Sequence, residues 1–147
     1  MKLLVIDRDR DNCEQMGEFL TDSGIDATFE PIRSKGVDAF KGGGYDAIFF
    51  DPAPQGEARP FVIGIRRSTN SFPPIVFMTH DMTKEQVMAV GGNTMLSKPF
   101  DKNAMISVAK NAMRLTETMR MMADDKTDFP SKDGIIAKSA FNQLFIT

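Results

Sequence analysis

The sequence predicts an α/β protein, a doubly wound sheet of five parallel strands followed by one extended C-terminal helix. Three observations carry this prediction. Residues 3–6, 47–50 and 75–78 are apolar at every position, the pattern of strands buried on both faces. Segments of helical periodicity alternate with them, at a pitch that implies right-handed crossovers. Residues 101–122 contain neither Gly nor Pro and make a helix too long for the domain alone.

Each element follows in order. After the first strand, Cys13, Met16, Phe19 and Leu20 fall at helical spacing, with Asp9 or Asp11 placed as the cap and Gly24 as the stop. Residues 27–29 read as a second strand, Ser34 as the N-cap of a short helix, and Gly42, Gly43 and Gly44 as the turn before the strand that ends at Asp51. Pro60 suits the first turn of a helix through Arg67. Thr83 with Gln86 reads as a capping box, opening a helix that stops at Gly91 and Gly92. Met95 and Leu96 mark the last strand.

The long helix carries two apolar stripes. Ile106, Ala109 and Met113 are expected to face the sheet. Met105, Val108, Ala112, Leu115, Met119 and Met122 repeat at spacings of 3, 4, 3, 4 and 3, a seam that calls for a second helix and predicts a homodimer through 101–122. Residues 123–133 read as a linker, with Asp124, Asp125, Lys126, Asp128, Pro130 and Ser131.

Composition narrows the function classes. A net charge of -2 without a long Lys/Arg run argues against nucleic acid or an anionic membrane surface as partner. No apolar run approaches the roughly 20 residues needed to span a bilayer. The single cysteine, Cys13, has no partner for an internal disulfide, and the chain starts directly in a strand pattern, so a cytoplasmic protein is expected. Packing in the first helix is the expected role of Cys13.

In an open parallel sheet, ligands sit beyond the carboxyl ends of the strands. Asp7, Asp51, Thr79 and Lys98 follow strands one, three, four and five, so all four converge on one rim. The constellation "VIDRD", "IFFD", "FMTH" and "LSKPF" resembles the receiver domain of bacterial two-component response regulators, over residues 1–118. That resemblance implies the flavodoxin-like strand order 2-1-3-4-5. It implies Asp51 as phospho-acceptor, Thr79 and Lys98 as contacts to the phosphoryl oxygens, and a cis peptide before Pro99. It also implies a sensor histidine kinase or phosphotransfer protein as partner, and a switch rather than a metabolic enzyme. His80, beside Thr79, is read as a solvent-facing loop residue.

The resemblance further implies a Mg2+ ion held by Asp7, a second acid after strand one, and Asp51. Here the second acid is replaced by Arg8. Three carboxylates and one Lys would leave a pocket of -2, whereas Asp7 and Asp51 with Arg8 and Lys98 sum to zero. A unit charge pair at about 4 Å is worth about 4 kcal/mol at an effective dielectric near 20, so Arg8 removes the electrostatic demand for a metal. Asp9, one residue on, is read as a helix cap. Met95, three before Lys98, stands where the resemblance implies an aromatic switch residue. The loop "DPAPQGEARP" is about one residue short, and the stretch from Thr79 to Lys98 is short by roughly a helical turn. These departures leave two alternatives, a phosphorylated receiver and a phosphate-independent pseudo-receiver used for docking or dimerisation. A mononucleotide-binding protein fits less well, because "DRDRDN" is too acidic for a phosphate cradle.

Residues 134–147 resemble the opening of GGDEF-type diguanylate cyclase domains, with Gly134, Ile135, Ala140, Phe141 and Leu144 in register. That resemblance implies an output domain of which this stretch is the beginning, with 101–122 as the signalling helix between the two.

Overall fold

Along the central strands, successive side chains enter opposite layers, so a strand covered on both faces is apolar throughout. The computed structural model describes residues 2–69 and 72–124. Its elements are β1 (Lys2–Ile6), α1 (Arg10–Asp22), β2 (Asp26–Glu30), α2 (Gly36–Gly43), β3 (Ala47–Phe50), α3 (Ala58–Ser68), β4 (Ile75–Thr79), α4 (Lys84–Val90), β5 (Thr94–Ser97) and α5 (Lys102–Asp124). The strands form one parallel sheet in the order β2-β1-β3-β4-β5, as the resemblance implies. Leu3, Val5, Phe49, Val76 and Met78 pack beneath α1 and α5, while Leu4, Ile6, Ile48, Phe50, Ile75 and Phe77 pack beneath α2, α3 and α4. Full burial of one such side chain contributes about 1.5–3 kcal/mol, so these paired cores fix the sheet and, through it, the rim.

The local signals act as read at most helix ends. Asp9 caps α1, its carboxylate accepting from the Asn12 amide N–H at 3.2 Å. Thr83 and Gln86 form the reciprocal capping box of α4, and Gly91 closes that helix at a φ of 107°, where a side chain would be strained. Ser34 departs from expectation. It lies inside a 3-10 turn, Arg33–Lys35, and α2 starts without a side-chain cap. Gly42 and Gly43 belong to the last turn of α2, and Gly44 is its left-handed C-cap.

The long helix corrects the assignment of its two stripes. Met105, Ala109, Ala112 and Thr116 are the residues buried against the domain, at spacings of 4, 3 and 4. Ile106 and Met113 are half-buried at the flank, and so are Val108 and Leu115. Met105 and Ala112, two positions of the expected seam, are therefore consumed by the chain's own core. The seam emerges late, with Met119 half-buried and Met121 and Met122 exposed. α5 also takes the first two residues of the expected linker; the rest of 123–133 and the GGDEF-like stretch 134–147 lie outside the described residues. Among the described residues no helix is long and apolar enough to cross a membrane.

Candidate functional site

Strand register builds the rim. Ile6 pairs with Phe50 and Thr79 with Ser97, so Asp7 and Asp51 follow adjacent strand ends and Lys98 follows the strand beside Thr79. Main-chain bonds hold these exits: the Asp51 N–H donates to the Ile6 carbonyl at 2.9 Å and the Lys98 N–H to the Thr79 carbonyl at 2.8 Å. The Lys98–Pro99 peptide is cis, as expected, and so is Ala53–Pro54, which the sequence did not announce.

Lys98 Nζ lies 2.7 Å from Asp7 Oδ2 and 3.3 Å from Asp51 Oδ2, joining the two carboxylates. The Asp7 side chain is sealed from solvent, while those of Lys98 and Asp51 keep 16% and 19% of their surface, enough for a reagent to approach Asp51. Burial pushes the Asp7 carboxyl above its ordinary range, against the lowering effect of Lys98 and of the Asp9 N–H. The Lys98 ammonium, which burial alone would depress, ends above its ordinary value because Asp7 and Asp51 favour its charge. Asp7 has one further partner that sequence reasoning missed: Asn12 Nδ2 donates to Oδ2 at 2.7 Å, from the first turn of α1. Cys13 sits beneath this group, half-buried, with its thiol on the Asp7 carbonyl at 3.2 Å. Burial and the nearby Asp7 and Asp9 push that thiol up to about 11, which makes Cys13 a packing residue rather than a nucleophile.

The remaining candidates fall differently. Thr79 is buried at the rim, but its hydroxyl donates to Asp81 Oδ1 at 3.0 Å and accepts from the Asp81 and Met82 N–H groups at 3.3 Å each. It is turned into the start of the β4–α4 connection rather than toward Asp51. His80 is exposed, as read. Met95 is half-buried and packs against the core beneath α2, α3 and α4. Arg8 is exposed and forms no ion pair among the described residues; the cation on Asp51 is Lys98. Arg8 stands two residues past the end of β1, on the exposed turn that leads into α1.

The cation that does reach the loop after β3 is Arg33, from the turn after β2. Its Nη2 donates to the Asp51 carbonyl at 2.9 Å and also to the Ala53 carbonyl, while Nη1 faces Glu57 Oε2 at 3.4 Å. The guanidinium lies over the Phe50 ring, 5.0 Å from its centroid. The sequence offered only a weak signal for it: β2 also ends on this rim, so a cation in "PIRSK" lay near it, but nothing in the pattern named its main-chain partners. Asp51 itself is oriented by the Ala53 N–H, which donates to Oδ1 at 3.0 Å. A cavity of about 270 Å³ opens beside it, lined by Asp7, Arg8, Ile32, Arg33, Asp51 and Glu57 among others.

These residues do not fit a divalent cation. No cluster of three metal-ligating acids, cysteines or histidines occurs among the described residues. Asp7 already accepts from Lys98, Asn12 and the Asp9 N–H, Asp51 from Lys98 and the Ala53 N–H, and Asp9 is spent on its helix. Mg2+ demands near-ideal octahedral oxygen ligation, which a pair of carboxylates bridged by an ammonium does not offer.

No family model and no curated protein matches the sequence. Solved structures do. A two-component response regulator from Clostridium difficile is 27% identical at a TM-score of 0.68, over 78% of this chain and 96% of that one. The chemotaxis response regulator CheY4 of Vibrio cholerae is 21% identical at 0.67, over 76% of this chain and 97% of that one. NtrX from Brucella abortus is 20% identical at 0.74, over 84% of this chain but 29% of its own length. Sheet order and these neighbours give the chain the fold of response-regulator receiver domains. It departs from the pattern the resemblance implies in carrying Arg8 in place of an acid and Met95 in place of an aromatic residue.

Proposed function

We propose that Asp51 of this receiver accepts a phosphoryl group from a sensor histidine kinase or phosphotransfer protein, with side-chain cations in place of a divalent metal. The observation that carries the reading is Lys98 bridging Asp7 and Asp51 beside a cavity that Arg8 also lines. Asp51 is a carboxylate nucleophile: its oxygen forms the new bond to phosphorus as the P–N bond of the phosphohistidine breaks. The bonding pair stays with the imidazole nitrogen, which takes up a proton. The product adds about -1.5 to -2 charge at the rim, and Lys98 with Arg8 is the complement available to it.

The test is intact mass after incubation of the full chain with a small phosphodonor, with Mg2+ and with chelator, beside Asp51→Asn. A phosphate-sized gain that needs Asp51 and persists in chelator is expected. A gain that requires Mg2+ would reject the metal-independent reading.

One observation favours a second reading. The Thr79 hydroxyl is engaged by Asp81, which suits a pseudo-receiver that docks a partner without phosphate. Absence of any mass gain would select it. In either reading the module is a switch rather than a turnover enzyme, and its output runs through α5. We assign self-association to the end of that helix, at Met119, Met121 and Met122, rather than to the whole of 101–122, since methionine makes an adaptable contact surface.

A further inference from the structure

The misfit of a divalent ion at this rim has a specific cause outside the residues discussed as its ligands. The carbonyl oxygens of Asp51 and Ala53 converge on one point, and Arg33 Nη2 stands at that point. Carbonyl oxygens beside a carboxylate are the donor set a hard metal ion takes. Glu57, 3.4 Å from Nη1, supplies a second carboxylate to the same group. Arg33 is held there by more than charge. Its side chain is 21% exposed, and its guanidinium rests on Phe50, whose ring stacks on Phe61 at 4.2 Å and meets Phe77 edge-on at 5.4 Å. The cation thus sits on a rigid aromatic floor directly under the acceptor loop.

We propose that Arg33 is the resident cation of the acceptor loop, a positioning residue that holds Asp51 through two backbone carbonyls and excludes a divalent ion from that point. Arg8 completes the exclusion at the cavity mouth but does not occupy the cradle. Asp7, Asp51 and Glu57 face Arg8, Arg33 and Lys98, three acids against three cations, so a metal would enter a neutral site already filled. This inference rests on the reading of Asp51 as acceptor for its functional meaning, but the cradle itself is tested with metal alone.

Mg2+ is titrated calorimetrically into the full chain in three forms, wild type, Arg33→Ala and Arg33→Lys, with thermal melts to verify folding. Wild type and Arg33→Lys, which retains a cation, should give no saturable binding. Arg33→Ala should bind Mg2+ at least about tenfold more tightly than wild type, because a unit charge a few ångströms away has been removed, and Asp51→Asn in that background should abolish the gain. Arg33→Gln, neutral and of similar reach, replaces Arg33→Ala if the latter unfolds. Equal binding by wild type and the neutral variants would overturn the inference, as would a wild type that binds as tightly as Arg33→Ala. Gain of Mg2+ binding without phosphate uptake at Asp51 would remove the phosphate reading and leave the cradle standing. Phosphate uptake without that gain would do the reverse.

Discussion

The two ends of the sheet each bury an aspartate and offer it a cation, yet they are built for different purposes. At the base, Asp46 Oδ2 accepts from the Lys2 N–H at 2.7 Å, its other oxygen takes Arg120, and its carbonyl takes the Thr116 hydroxyl at 2.7 Å. Lys2 closes the group with Nζ on the Gly43 carbonyl and over the Tyr45 ring. Those bonds fasten β1, β3 and α5 together under a covering helix. At the rim, Asp7 and Asp51 share a single ammonium, a cavity lies alongside, and Arg8 stands without an ion-pair partner among the described residues. A buried acid with a fixed set of partners is a fastening; two acids competing for one cation beside an opening form a site whose charge can change.

The largest expected effect breaks the rim. Lys98→Met leaves Asp7 sealed and unpaired, which should cost about 2–4 kcal/mol in urea denaturation at neutral pH. The cost should shrink on acidification. An aspartate whose folded pKa is raised contributes fully below its unfolded value of 3.8 and loses that contribution as pH rises through the folded value, so the variant regains stability where Asp7 protonates. A cost that did not change between neutral and acidic pH would show that Asp7 is not the strained partner.

The base is expected to yield less. Asp46→Ala removes one buried acceptor, while its half-exposed partner Arg120 returns to water, so about 1–3 kcal/mol is expected, with phosphate uptake at Asp51 unaltered. A change in uptake would mean that the two ends communicate and the contrast is false. The smallest effect on stability lies beyond the base. Met121→Glu with Met122→Glu should change unfolding free energy by no more than about 0.5 kcal/mol, since both are exposed. Light scattering at high concentration should nevertheless show loss of self-association; a wild type that is monomeric there would remove the dimer reading.

Much of the rim was legible. Asp7, Asp51 and Lys98 follow apolar strands, and parallel winding brings strand ends together whatever the loops contain. Asp9 and Thr83 were readable because capping depends on residues three apart. Arg33 was not, because its partners are two main-chain carbonyls, and any loop could have presented them. The orientation of Thr79 was equally hidden, since a hydroxyl chooses among local partners of similar strength, here Asp81. The stripes of α5 were misjudged for a related reason: periodicity identifies apolar faces but not which face meets the sheet, and Met105 and Ala112 serve the core that the seam reading gave to a partner.

What the sequence by itself determined is the layered sheet, its rim and the acids on it, because hydrophobic period and the alternation of strands with helices follow from local pattern; the strand order came from the resemblance to receiver domains. What the tertiary structure decided is which cation serves which oxygen. Lys98 takes both carboxylates, Arg33 takes the acceptor loop, Arg120 takes Asp46, and Arg8 is left to solvent. Long cationic side chains reach several partners, and the choice is made by the distances that folding sets.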